Sequence, residues 1–330
     1  MTDRTPRLAI FGAGAFGTAL ALVAARAGRE ILLWGRDGAA MAEMASRREN
    51  TRHLPGVRLP DAITPVADAE TGAGADTLII AIPTQNLREA MTDLAPLIRP
   101  GTALVAAAKG IEQHTGAFVT DILRSTVPEA APAILSGPSF ATDIARGLPT
   151  AVTLAAADAG RASDLATAIA GPGFRIYHSD DVRGVEIGGA AKNVLAIAAG
   201  IVSGANLGES ARAALVARGF AELRRLAAGV GARPDTLMGL SGLGDLVLTA
   251  SSAQSRNFTF GVALGRGQSV AEAGAGKLAE GAFTAPALVA MARSKGVEMP
   301  IATAVAMVVA GRLSVREAIA GLIERPQKSE

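Results

Sequence analysis

Leu8-Ala9-Ile10-Phe11-Gly12-Ala13-Gly14-Ala15-Phe16-Gly17-Thr18-Ala19-Leu20 is the stretch whose reading decides the fold. Four apolar residues in succession suit a strand buried on both faces, and the apolar run from Thr18 to Ala27, closed by Gly28, suits a helix. Between them three glycines stand in G-x-G-x-x-G spacing. Gly12 permits a tight turn, Gly14 lets the backbone approach a pyrophosphate without a Cβ in the way, and Gly17 lets helix and strand pack closely. The helix behind such a turn presents free N–H groups and a partial positive charge to phosphates. Gly12, Gly14 and Gly17 are therefore read as part of a dinucleotide site. An ordinary strand-to-helix turn is the competing reading in a chain with 38 glycines, and the placement directly after a first strand favours the site.

Working outward, Arg4 and Arg7 ahead of Leu8 to Ala25 imitate the charged and apolar regions of a secretory signal. Cleavage after Ala25 or Ala27 would discard the glycine turn, so a retained N-terminus and a cytoplasmic protein are expected. Further strands are predicted at Glu30–Trp34, Thr77–Ile82, Ala103–Ala107, Ala133–Ser136 and Ala151–Leu154, alternating with helical patterns. That alternation predicts an α/β fold with a doubly wound parallel sheet. From about Gly184 the strand signals stop and Ala/Leu/Val helical patterns take over. We expect residues 1–184 to form the dinucleotide-binding domain and residues 185–330 an all-helical substrate domain, in keeping with a length sufficient for about two domains.

Composition closes several routes. The chain has no cysteine, which excludes disulfides, Cys-ligated zinc and thiol catalysis. Thirty-two Lys and Arg against 30 Asp and Glu leave a formal charge of +2, too little to hold a polyanion, so no nucleic acid partner is expected. Tyr177 is the only tyrosine and Asp181 stands four residues on, which excludes a Tyr-x-x-x-Lys dehydrogenase. His53, His114 and His178 lie in polar surroundings without ligand spacing, and no metal site is predicted. The apolar run from Ile187 to Val202 contains Lys192 and Asn193, so no membrane span is predicted.

The second strand ends in Gly35-Arg36, where an NAD-specific site commonly carries an acid for the ribose hydroxyls. Arg36 suits a 2′-phosphate instead, and its plainer reading is a solvated loop arginine that Asp37 partly neutralises. Lys109 follows a buried-looking strand, at the carboxyl end where doubly wound sheets bind ligands. Ser136-Gly137-Pro138-Ser139 stands at another strand end. Lys192 interrupts a helical pattern of Ala, Val, Leu and Ile; burial disfavours its charged form and suits it to move a proton, whereas a snorkelling surface lysine is the bland alternative. Asp245 sits in an apolar run, and Ser255-Arg256-Asn257 groups donors suited to an oxyanion, with a helix cap and a turn as their ordinary readings.

Taken in order, these blocks resemble the bacterial NAD(P)-dependent glycerol-3-phosphate dehydrogenase family over nearly the whole chain. The blocks include Leu33-Trp34-Gly35-Arg36, Lys109-Gly110, Ser136 to Ala141, Gly188-Gly189-Ala190-Ala191-Lys192-Asn193-Val194, Gly242-Leu243-Gly244-Asp245-Leu246-Val247-Leu248-Thr249, Ser255-Arg256-Asn257 and Glu298-Met299-Pro300-Ile301. The resemblance implies a Rossmann domain followed by an all-α domain, and interconversion of dihydroxyacetone phosphate and sn-glycerol 3-phosphate for phospholipid synthesis. It implies Lys192 as general acid/base, with Lys109, Gly137, Ser139, Asp245, Ser255, Arg256 and Asn257 around the substrate. Ala15, Phe16, Arg36, Lys109, Ala141, Arg256, Leu278 and Glu280 would border NADPH or NADH, with NADP preferred on the strength of Arg36. Ala15 and Phe16 depart from the family's common serine and tyrosine or tryptophan. A homodimer is a further implication of the resemblance. Two rivals are another β-hydroxyacid-type dehydrogenase with a buried lysine, against which the Ser-Arg-Asn and Leu-Gly-Asp-Leu blocks argue, and a silent redox-sensing module, which would not need Lys192, Asp245 and Arg256 together.

Overall fold

The computed structural model describes residues 7–275 and 279–324. Two compact units emerge: one comprises the described residues up to Lys109 together with Phe118–Val185, the other Gly110–Ala117 together with the described residues from Glu186 on. The excursion of Gly110–Ala117 into the second unit interrupts what the sequence presents as one continuous N-terminal half.

In the first unit, β1 (Leu8–Phe11), β2 (Ile31–Trp34), β3 (Ile63–Val66), β4 (Thr77–Ile80), β5 (Ala103–Ala106), β6 (Ala131–Ser136), β7 (Thr150–Ala156) and β8 (Phe174–Ser179) form one sheet in the order β3-β2-β1-β4-β5-β6-β7-β8. The helices of this unit are α1 (Ala15–Arg26), α2 (Gly38–Arg47), α3 (Ala69–Ala73), α4 (Thr84–Leu94), α5 (Val119–Thr126), α6 (Ala141–Ala145) and α7 (Ala159–Ile169). Ile10 pairs in parallel with Leu33 on one side and with Ile79 on the other. The chain thus winds one way from β1 to β3 and the other way from β4, the doubly wound Rossmann order, whose switch point lies between β1 and β4. Ile10, Leu20, Ile31, Leu33, Ile79, Val105 and Leu135 are buried in its core.

Three expectations are corrected. The sheet is not wholly parallel: β7 pairs antiparallel to β6, with Leu135 opposite Leu154. Strand β3 escapes a reading based on hydropathy because Ile63-Thr64-Pro65-Val66 carries a proline, which a sheet admits at an edge, and β3 is an edge strand. Strand β8, the opposite edge, escapes it because most of Phe174-Arg175-Ile176-Tyr177-His178-Ser179 is polar or exposed.

The second unit is helical, as expected. Helix α8 (Val182–Gly204) enters it and is followed by α9 (Glu209–Gly229), α10 (Pro234–Met238), a π-helical turn (Leu240–Gly244), α11 (Asp245–Thr249), α12 (Arg256–Gly265), α13 (Val270–Gly274), α14 (Glu280–Ser294), α15 (Pro300–Val309) and α16 (Val315–Ile323). Helix α8 has the length and apolar composition of a membrane span, but its apolar window is entirely buried, so it is a core helix. Its crossing with α12 is backbone to backbone. A Cβ on Gly200 would lie 2.1 Å from the Phe258 carbonyl oxygen, one on Gly204 2.2 Å from that of Val262, and one on Gly261 2.1 Å from that of Ile197. The closeness of this crossing brings the first turn of α12 against the middle of α8. The Glu298 to Ile301 block opens α15: Pro300 stands in its first turn and the buried Glu222 carboxylate of α9 accepts from the Ile301 N–H at 3.0 Å.

Candidate active site

The glycine turn joins β1 to α1, and α1 begins at Ala15, earlier than the apolar pattern suggests. Gly12 has φ +120°, and a Cβ there would lie 2.5 Å from the carbonyl oxygen of Ala81, just beyond β4. A Cβ on Gly17 would meet the Gly12 carbonyl oxygen at 2.0 Å. Around Gly14, in contrast, no described atom lies within 4 Å of an added Cβ, so the backbone is open at the one position where a pyrophosphate must approach. That combination of two crowded glycines and an open one, at the switch point of the sheet, fits a dinucleotide. Ala15 and Phe16 are half-buried in the first turn of α1.

Strand β2 delivers Gly35 against the same turn, where an added Cβ would stand 3.1 Å from that of Ala13. Arg36 follows and is exposed, and its guanidinium makes no hydrogen bond or ion pair among the described residues. The expectation that Asp37 partly neutralises Arg36 is revised by the geometry. Asp37 caps α2, accepting from the Ala40 N–H at 3.0 Å, and takes an ion pair from Arg52 at 2.8 Å. The Ala40 N–H and then the Arg52 guanidinium hold its carboxyl below the usual aspartate range.

At the carboxyl end of β5, Lys109 donates to the Gly137 carbonyl at 2.7 Å and to the Ser139 hydroxyl at 3.3 Å, and its Nζ lies 5.8 Å from the centre of the Phe16 ring. Four residues singled out from three separate blocks of sequence therefore meet in the first unit. Gly137 must be glycine: its φ is +145° and a Cβ would lie 2.8 Å from the Val152 Cα. Ala141 opens α6, which packs on α1.

In the second unit, Lys192 of α8 is buried, and donates to Asp245 Oδ1 at 2.8 Å and to the Thr249 hydroxyl at 2.7 Å. Thr249 in turn donates to Asp245 Oδ1 at 3.2 Å. Burial alone would discharge a lysine; a carboxylate in contact favours the ammonium and opposes that. The π-helical turn ahead of α11 sets Asp245 into this position, and Gly188 of α8 admits it, since a Cβ there would lie 2.8 Å from the Ser241 carbonyl oxygen. Thr249 received no role from the sequence. Its signal was the spacing of four from Asp245, which puts both on one face of a helix.

Ser255 is the N-cap of α12, accepting from the Phe258 N–H at 3.2 Å, so the capping reading describes its oxygen. The Asn257 amide is buried, donates to Asn193 Oδ1 at 2.9 Å and accepts from the Gly281 N–H at 2.9 Å. It ties α8, α12 and α14 together. Arg256, between them, is exposed. Glu280 is half-buried at the start of α14, and Leu278 lies outside the described residues. His53, His114 and His178 are exposed, and no cluster of three metal-ligating side chains occurs among the described residues.

Models of the NAD-dependent glycerol-3-phosphate dehydrogenase N-terminus and C-terminus match residues 7–162 and 181–320. The chain belongs to this family. It is 61% identical over 324 residues to the glycerol-3-phosphate dehydrogenase [NAD(P)+] of Azorhizobium caulinodans, covering 98% of each chain. With the corresponding protein of Methylobacterium radiotolerans it shares 57% over 331 residues, covering 100% of this chain and 99% of the other. The crystal structure of glycerol-3-phosphate dehydrogenase from Coxiella burnetii superimposes with a TM-score of 0.92 at 38% identity, over 97% of this chain and 99% of that one. A ketopantoate reductase from Ralstonia eutropha, at 19% identity and TM-score 0.62, shares the fold alone.

Proposed function

We propose that the chain is an NAD(P)-dependent sn-glycerol-3-phosphate dehydrogenase that interconverts dihydroxyacetone phosphate and sn-glycerol 3-phosphate, with Lys192 carrying the proton at the C2 oxygen. The observation that carries this reading is the buried Lys192, Asp245 and Thr249 group, set in a family member whose glycine turn fits a dinucleotide. When bound, a nicotinamide dinucleotide would supply or accept the hydride at C2. In reduction, Lys192 donates an Nζ proton to the oxygen as negative charge develops on it, and in oxidation it takes that proton back. Asp245 and Thr249 hold the lysine in place and keep the ammonium stable in a site with little water. Arg256 and the opening turn of α12 offer a guanidinium and helix N–H groups to the substrate phosphate, whose binding energy positions the carbonyl. Ser255 and Asn257 contribute chiefly by fixing that turn. Lys109 holds the Gly137 to Ser139 loop beside Phe16, bordering both substrate and cofactor.

Gly12, Gly14, Ala15, Phe16 and Gly17 would hold the pyrophosphate. Arg36 would take the 2′-phosphate, giving a preference for NADPH without exclusion of NADH. Ala141 and Glu280 complete the cofactor's border. The reading also includes residence in the cytoplasm and a homodimer, both by analogy with the family. The test is to compare dihydroxyacetone phosphate with unphosphorylated dihydroxyacetone as acceptors in the presence of NADPH. Rapid consumption of NADPH with the phosphate ester alone supports the assignment; equal rates, or none with either, overturn it.

A further inference from the structure

Resting on the reading of an NADP-preferring site, we propose that Arg52 sets the preference for 2′-phosphorylated dinucleotides by occupying the Asp37 carboxylate, which leaves Arg36 to the phosphate. An acid just beyond the second strand of such a sheet ordinarily accepts the ribose hydroxyls and repels a 2′-phosphate. Asp37 stands one residue beyond Arg36 and is an acid of that kind by type. Its carboxylate is nevertheless committed: Oδ1 to the Ala40 N–H at 3.0 Å, and Oδ2 to Arg52 Nη1 at 2.8 Å. The two arginines against one aspartate leave this corner with a net positive charge.

Arg52 reaches Asp37 because its own segment is anchored to the phosphate turn. Two residues earlier, the buried Asn50 donates through Nδ2 to the Ala13 carbonyl at 2.9 Å and to the Thr18 hydroxyl at 2.8 Å, and its Oδ1 accepts from the His53 N–H at 3.2 Å. The anchor runs from the residue between Gly12 and Gly14 to the segment that carries Arg52. The pair itself is half exposed, 53% at each side chain, so solvent and salt screen it and its influence is moderate.

The experiment measures the dissociation constants of NADPH and NADH by calorimetry, without substrate, on the full chain and on Arg52→Gln, Arg52→Lys, Asp37→Asn and the Arg52→Gln/Asp37→Asn double variant. The expected result is a fall of about 2- to 5-fold in the preference for NADPH in Arg52→Gln, larger at low salt, with NADH bound as tightly as by the wild type or more tightly. Arg52→Lys should retain most of the preference, and in the Asp37→Asn background the Arg52 substitution should have no further effect. Three results overturn the proposal: an unchanged preference in Arg52→Gln, an equal weakening of both cofactors, which marks a structural role, or the same fall in the Asp37→Asn background, which marks a contact of Arg52 with the phosphate itself. A wild-type protein that binds both cofactors equally instead refutes the underlying reading of an NADP-preferring site, and this proposal with it.

Discussion

Replacing Asp245 by Asn removes one negative charge and hardly changes the shape of the side chain. The Lys192 and Asp245 side chains are 8% and 2% exposed, and their contact is 2.8 Å, so water cannot take over the role of the carboxylate. Removing one partner of a buried ion pair costs about 3–5 kcal/mol. A lysine escapes most of that by losing its proton, so the substitution weakens its hold on the proton. Reduction of the carbonyl requires protonated Lys192, so the reductive kcat of the Asp245→Asn enzyme should fall away at a lower pH than that of the wild type. Oxidation requires the neutral amine and should suffer less at neutral pH. Measuring kcat against pH in both directions, by nicotinamide absorbance, reads the shift directly. A variant whose two profiles keep the wild-type shape and position would refute the coupling of Asp245 to the proton on Lys192. A Lys192→Met/Asp245→Leu double variant, inactive, should recover much of the thermal stability that Asp245→Asn loses.

Arg256→Ala should abolish most of the discrimination between dihydroxyacetone phosphate and dihydroxyacetone in kcat/KM, and a discrimination left intact places the phosphate elsewhere. Arg36→Asp should reverse the cofactor preference, because the new carboxylate accepts the ribose hydroxyls and repels the 2′-phosphate; equal effects on both cofactors would leave Arg36 a solvated side chain. Gly261→Ala puts a methyl group 2.1 Å from the Ile197 carbonyl oxygen and should destabilise the chain by about 1–3 kcal/mol or force α12 away from α8, read as a lower unfolding midpoint in urea.

The parts of the fold that could be read from sequence are those in which local pattern and tertiary role coincide. Leu8 to Phe11 is buried on both faces and apolar throughout, so β1 announces itself, and Gly12 and Gly17 answer steric demands that the structure displays while Gly14 leaves the backbone open. Edge strands lack that signature: Pro65 masks β3 and exposed side chains mask β8. The antiparallel direction of β7 depends on where a connection returns, which residues 137–149 do not encode locally. Within the site, Lys192 and Asp245 stand out as charges in apolar runs, and the structure brings them into contact. Asn257 stands out as part of the Ser255-Arg256-Asn257 donor group, yet its amide serves the packing of three helices. Asn193 and Asn50 take no role from the sequence because a neutral polar residue in a helix or loop becomes informative only when its distant partner is known, and Thr249 offers only its spacing of four from Asp245.

The role of Lys192 as proton carrier is tested by Lys192→Ala measured in two ways: kcat with dihydroxyacetone phosphate and NADPH, and the dissociation constant of NADPH alone. Proton transfer by Lys192 entails a loss of about 10²–10⁴ in kcat with cofactor affinity close to that of the wild type. A kcat that survives the substitution would contradict it.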